Sequence, residues 1–194
     1  MKKVSSKLDI EYINEVEKEQ FRIVMGRLFN SPIHTLLFID EVEKSRPFFD
    51  DLKLYREILV QLKKLPHIDQ LRILESQDEL GSSKRNGENK YAKNEHSSSG
   101  LNNLSPNDFD RFKYLNKLYK LKFGFNFLLA VSGLDSDQIL SIFENKISNT
   151  FETEFLIAIS QLEKLTFLRI RETFENSRLK YINYLMVTRN DCEF

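Results

Sequence analysis

Several familiar signals are missing from this chain, and each absence removes a class of function. There is no excess of either charge: Lys plus Arg and Asp plus Glu are both 29, for a formal net charge of zero. A phosphate backbone or an anionic membrane has no basic surface to attract it, so neither nucleic acid nor a membrane is expected as a partner. The one cysteine, Cys192, lies near the C-terminus; a lone thiol excludes an intrachain disulfide framework and fits a reducing compartment. No apolar run reaches the roughly 18 to 20 residues of a membrane-spanning helix. The N-terminal "MKKVSSKLDIEYINEVEKE" has basic residues with no apolar stretch after them. The expected location is therefore intracellular, cytoplasmic or peroxisomal, although "DCEF" is not a peroxisomal Ser-Lys-Leu ending.

Conventional catalytic signatures are missing as well. The chain has no Gly-rich phosphate loop, no nucleophile elbow, no His-Glu-x-x-His and no paired cysteines. Its three histidines, His34, His67 and His96, are scattered, and each reads first as an exposed helix-end or loop residue. Sustained strand-like alternation is absent too.

What is present is helical periodicity on a chain of 194 residues, 41% hydrophobic and 30% charged, enough for one core. "FRIVMGRLFNSP" places Phe21, Val24, Met25, Leu28 and Phe29 on one stripe of a helix ending before Pro32. "LKLYREILVQLKKLP" repeats the pattern with Leu52, Tyr55, Ile58, Leu59 and Leu62, and stops at Pro66. "LSPNDFDRFKYLNKLYKLKFG" opens on Ser105 as N-cap with Pro106 at the first helical position, and Phe109, Phe112, Leu115, Leu118 and Tyr119 form its inward face. A last long helix is expected to start near Asn149, with Glu152 closing a capping box. The fold class expected is all-α, a single-domain irregular bundle of about seven to nine helices spanning residues 1–194.

Residues 81–104, "GSSKRNGENKYAKNEHSSSGLNNL", break this pattern with only Tyr91, Ala92, Leu101 and Leu104 apolar. Composition leaves open both a mobile loop and a folded lid over a site. "KFGFNFLLAVSG" (122–133) is also unusual, with three phenylalanines in five residues flanking Gly124 and Asn126. It reads equally as a helix end followed by a buried segment, or as a backbone-lined pocket wall.

Taken together, these segments resemble the OHCU decarboxylase family, the decarboxylases of 2-oxo-4-hydroxy-4-carboxy-5-ureidoimidazoline. "FDRFKYLNKLYKLKFGFNFLLAVSG" is similar to that family's Phe-x-x-Leu-Asn-x-x-Tyr-x-x-Lys-Phe-Gly-Phe-Pro-Phe-Ile signature, with Asn126 in place of the proline. "ILSIFENKISNTFETEFLIAISQLEKLTFLRI" resembles the pattern that follows, and "FRIVMGRLFNSP" and "SRPF" resemble the opening helix and Arg-Pro-Phe. The resemblance runs over about residues 18–175.

The resemblance implies decarboxylation to (S)-allantoin in urate catabolism, without metal or organic cofactor, by a homodimer acting on a small-molecule ureidoimidazoline. It also implies a defect. The family's Ala-His-Pro-Asp-Leu-Gly, whose histidine is the central acid/base group, corresponds here to "ESQDELG", so Gln77 stands at the histidine position and Asp78 at the proline. The family's Glu-Gln followed by Ala-Gly-Leu is resembled by "NEHSSSGL", which carries over Glu95 and puts His96 in place of the amide. The substrate-binding arginine carries over to Arg169, and the backbone near Phe127 and Leu128 would read the ring and ureido amides. Gln77, Glu95 and Arg169 are thus expected to meet in one cleft beside Phe127 and Leu128. Glutamine keeps hydrogen bonding but not proton transfer, so weakened turnover is expected unless His96 supplies the imidazole. The alternative is a catalytically inactive descendant serving as a helical binding or dimerising protein.

Overall fold

The computed structural model describes residues 8–29, 32–80, 101, 104–131 and 133–184. Among these residues there are eight α-helices and a closing 3-10 turn, and the only β feature is one bridge between Leu8 and Phe174. The all-α expectation holds. The chain divides into two compact units, Met1–Pro66 with Glu163–Phe194, and His67–Leu162.

The first unit contains α1 (Ile10–Glu15), α2 (Lys18–Leu28), α3 (Pro32–Glu43), α4 (Asp51–Lys64), the C-terminal part of the last helix and the 3-10 turn Arg178–Tyr181. The stripe Phe21, Val24, Met25, Leu28 and Phe29 is buried as the periodicity predicts, and the Phe29 ring meets Phe38 of α3 edge-on at 5.2 Å. On α4 the inward face is Leu54, Tyr55, Ile58, Leu59 and Leu62. Leu52, expected on that face, is half-buried, because the first turn after the Asp50 cap places position 54 inward instead. The "SRPF" stretch is a clamp. Asn14 donates from Nδ2 to the Phe48 carbonyl at 2.9 Å and accepts from the Phe48 N–H at 2.7 Å. Arg46 donates to the Val16 carbonyl at 2.7 Å and lies 4.3 Å over the Phe21 ring.

The second unit contains α5 (His67–Glu75), α6 (Pro106–Phe123), α7 (Ser136–Lys146) and the start of α8 (Phe151–Thr173). Ser105 caps α6 as expected, its hydroxyl accepting from the Asp108 N–H at 3.1 Å with Pro106 in the first turn. Phe112, Leu115, Tyr119 and Phe123 are buried, whereas Phe109 and Leu118 are half-buried and Asn116 takes an inward position. The start of α8 corrects the sequence reading. Thr150 is the residue whose hydroxyl accepts from the Thr153 N–H, while Asn149 reaches the Glu154 carboxylate at 2.5 Å. Glu154 is 0% exposed, and its demand for donors removes Asn149 from the capping role.

One ion-pair cluster joins α2 to α3. Arg22 grips Asp40 with both arms, Nε to Oδ1 at 2.8 Å and Nη2 to Oδ2 at 2.5 Å, and Lys18 adds a contact at 3.0 Å. The Arg22 hydrogen bonds hold the Asp40 carboxyl down from its ordinary 3.8 to about 2. A carboxyl with a lowered folded pKa contributes stability above its unfolded pKa and loses it as pH falls through the folded value. Asp40→Asn should therefore lower the urea midpoint at neutral pH, with the gap to the parent closing as pH falls from about 4 to about 2. A gap independent of pH across that range would rule this pair out as a source of acid sensitivity.

Candidate functional site

Of the residues expected in the site, Gln77 lies in the turn after α5 and Phe127 and Leu128 in the run after α6, all in the second unit. Helix α5 ends at Glu75, and the chain turns with Ser76 N–H donating to Arg72 O at 3.2 Å and Gln77 N–H to Leu74 O at 3.3 Å. Gln77 is 3% exposed, and its Nε2 folds back to donate to the Ile73 carbonyl at 3.0 Å. The side chain thereby caps the last turn of its own helix.

The buried run after α6 begins at Gly124. Its φ of +80° is the left-handed conformation in which glycine ends a helix without penalty, and its N–H donates to Lys120 O at 2.9 Å. Phe125, Asn126, Phe127, Leu128, Ala130 and Val131 then run buried without helical or strand pairing. Of the two sequence readings of this stretch, a glycine helix end followed by a buried segment is the one observed. Tyr119 supports it from α6, its ring 5.3 Å from Phe127 and 5.7 Å from Phe125, while Phe127 stacks on Phe143 of α7 at 3.9 Å. The Ala130 N–H donates to Gln161 Oε1 of α8 at 2.9 Å.

Two asparagines fasten the turn to this framework. Asn116 Nδ2 donates to the Leu80 carbonyl at 2.8 Å, and Asn126 Nδ2 donates to the Gln77 carbonyl at 2.6 Å. Sequence reasoning noted Asn126 beside the phenylalanines and as a departure from proline, and met Asn116 only as the asparagine of the Leu-Asn signature, with no partner assigned to either. The usable signal was periodicity, because Asn116 is four residues after Phe112 and three before Tyr119 on an otherwise apolar stripe.

Gln77, Phe127 and Leu128 thus lie in the same unit, and the first two are linked through Asn126 and its neighbour. Arg169 belongs to the first unit. It is 5% exposed, unlike an ordinary surface arginine on a helix, and its Nη1 donates to the Leu28 carbonyl at 2.8 Å. Glu95 and His96 lie outside the described residues. His67, the other histidine near the motif, opens α5 on the surface with its ring 5.2 Å from Phe155. Among the described residues no cluster of three or more His, Cys, Asp or Glu could hold a metal ion, and no helix is long and apolar enough to cross a membrane.

The family model for OHCU decarboxylase matches residues 14–171. The chain belongs to the OHCU decarboxylase family. Curated OHCU decarboxylase relatives include the 2-oxo-4-hydroxy-4-carboxy-5-ureidoimidazoline decarboxylase of Haloferax volcanii, 25% identical over 87% of this chain and 98% of that protein. The Xenopus laevis protein of the same name is 26% identical over 89% of this chain and 98% of its own. The "Uric acid degradation bifunctional protein" of Bacillus sp. (strain TB-90) is 25% identical over 91% of this chain, which spans only 35% of that protein's length. Two solved structures share the fold. An OHCU decarboxylase crystallised in the presence of (S)-allantoin has a TM-score of 0.61 at 21% identity, covering 72% of this chain and 91% of that one. An (S)-allantoin synthase has a TM-score of 0.63 at 19% identity, covering 87% and 55%.

The buried run depends on Tyr119, whose hydroxyl donates to Glu154 Oε2 at 2.7 Å. Burial, reinforced by the Glu154 carboxylate, pushes the phenol far above its ordinary value, so it remains a donor at any working pH. Tyr119→Phe leaves a buried carboxylate oxygen short of a donor, at a cost of about 1–3 kcal/mol. For a chain of this size, each 1 kcal/mol lowers Tm by about 2–4 °C. Calorimetry showing an unchanged Tm would mean that this hydrogen bond does not support the run.

Proposed function

We propose that the chain is a cofactor-independent carboxy-lyase that converts 2-oxo-4-hydroxy-4-carboxy-5-ureidoimidazoline to (S)-allantoin in urate catabolism, with turnover weakened at Gln77. The observation that supports this reading is the family match over 14–171, which includes every segment from which the site residues are drawn. Loss of CO₂ from the carbon beside an imine-like ring centre leaves negative charge that the heterocycle delocalises, so no metal or organic electron sink is needed. Arg169 orients the anionic substrate through its planar guanidinium. Glu95 holds the substrate hydroxyl or orients the proton donor, and the backbone at Phe127 and Leu128 reads the ring amides. Protonation of the carbanion is the step that lacks its imidazole, and general acid–base catalysis contributes about 10²- to 10⁴-fold in rate.

A second reading, an inactive descendant that keeps the fold as a binding protein, is favoured by the engagement of the Gln77 amide with its own helix at Ile73. An assay that generates the substrate in situ from urate and follows optically active allantoin separates the two. The parent should be slower than an intact relative, and restoring the family pattern with Gln77→His, Asp78→Pro and Asn126→Pro together should raise the rate by about 10²-fold or more. A parent rate equal to an intact relative's, abolished by His96→Ala, would show instead that His96 supplies the proton. No acceleration by either the parent or the restored variant would leave the binding-protein reading.

The family resemblance also leads us to propose a symmetric dimer. On α6, Tyr114 and Leu121 are 65% and 76% exposed, apolar surface that a second copy could cover. Sedimentation at micromolar concentration should show a species of twice the 23.0 kDa chain mass. A monomer alone would remove the proposal.

A further inference from the structure

The turn that carries Gln77 is held by its main chain, through side chains that are themselves incompletely satisfied. Asn126 Nδ2 donates to Gln77 O at 2.6 Å and lies 3.4 Å from Glu75 O. Asn126 is 6% exposed, and its Oδ1 is buried with no partner among the described residues. An unpaired buried carbonyl costs free energy, so this amide is not the residue that packing stability alone would favour. Its place is also where the resembled Phe-Gly-Phe-Pro-Phe motif has a proline, which carries no side-chain donor. Two departures from the family pattern, at 77 and at 126, therefore touch each other: the side chain of one grips the main chain of the other.

From this contact we infer that Asn126 is a positioning residue for position 77. By fixing the Gln77 carbonyl, it sets the main chain in the orientation that turns the residue's side chain back onto the last turn of α5. A histidine introduced at 77 inherits that orientation while Asn126 is present, so the two positions must change together for the imidazole to reach the substrate. The kinetic part of this inference rests on the decarboxylase reading; the placement of the side chain does not.

The test uses the full chain as parent, Gln77→His, Asn126→Pro and the double variant, with Asn126→Ala alone and in the Gln77→His background as a parallel cycle. Alanine removes the amide without constraining φ, so the cycle survives if proline prevents folding. Two quantities are read: kcat and KM on substrate generated from urate, and the NMR titration of the introduced imidazole. Gln77→His alone should raise kcat by less than about tenfold. The double variant should exceed the product of the single effects by about tenfold or more, in kcat with little change in KM. Single effects that simply multiply would overturn the inference. If no variant turns over, the decarboxylase reading fails and the titration decides by itself. A midpoint that differs by about half a pH unit or more between Gln77→His and Gln77→His/Asn126→Ala sustains the positioning role, and an identical midpoint overturns it.

Discussion

Glu154 is a carboxylate removed from water, and such a group persists in a fold only where donors reach it. Tyr119 supplies one from α6 and Asn149 another from the turn before α8. Much of the second unit follows from that arrangement. The Tyr119 ring cannot rotate away without abandoning the carboxylate, and it is packed at 4.5 Å from Phe123 as well as against Phe125, Phe127 and Phe143. A chain segment with no helix or strand pairing of its own, 125–131, is thereby held by rings on one side and by Gln161 at Ala130. The polar bond fixes the aromatic cluster, and the aromatic cluster fixes the run.

The helices were legible because burial imposes a period of 3.6 on apolar residues. Phe21 to Phe29 and Tyr55 to Leu62 follow it directly. Where the reading slipped, the cause lies in polar chemistry or helix geometry that hydrophobic patterning does not register. Leu52 gave way to Leu54 at a helix start, where only one turn of pattern is available. Asn149 has the composition of an N-cap, but a buried carboxylate five residues later engages it, and Thr150 caps instead. That pairing depends on Glu154 being inside, which no local window reveals.

The candidate site residues were read in a different way. Gln77, Phe127, Leu128 and Arg169 were reached through motif resemblance, and Glu95 and His96 by the same route fall outside the described residues. Composition marked the stretches 81–104 and 122–133 that hold Glu95, His96, Phe127 and Leu128, but gave Gln77 and Arg169 no prominence. The asparagine clamps escaped the motif, which records which residue stands at 116 or 126, not which carbonyl its amide meets. Arg169 differs, since the motif named it and the structure adds its burial and its bond to Leu28 O.

The Asn116 bond to Leu80 O has a consequence for how such a site changes over evolutionary time. A grip on a carbonyl is blind to the side chain of the residue it holds, because every amino acid presents the same acceptor. A loop anchored in this way can exchange its chemistry without losing its address. The two backbone grips therefore exert no veto on which side chain stands at the centre of the turn. What constrains that position is the side chain's own partner, the Ile73 carbonyl.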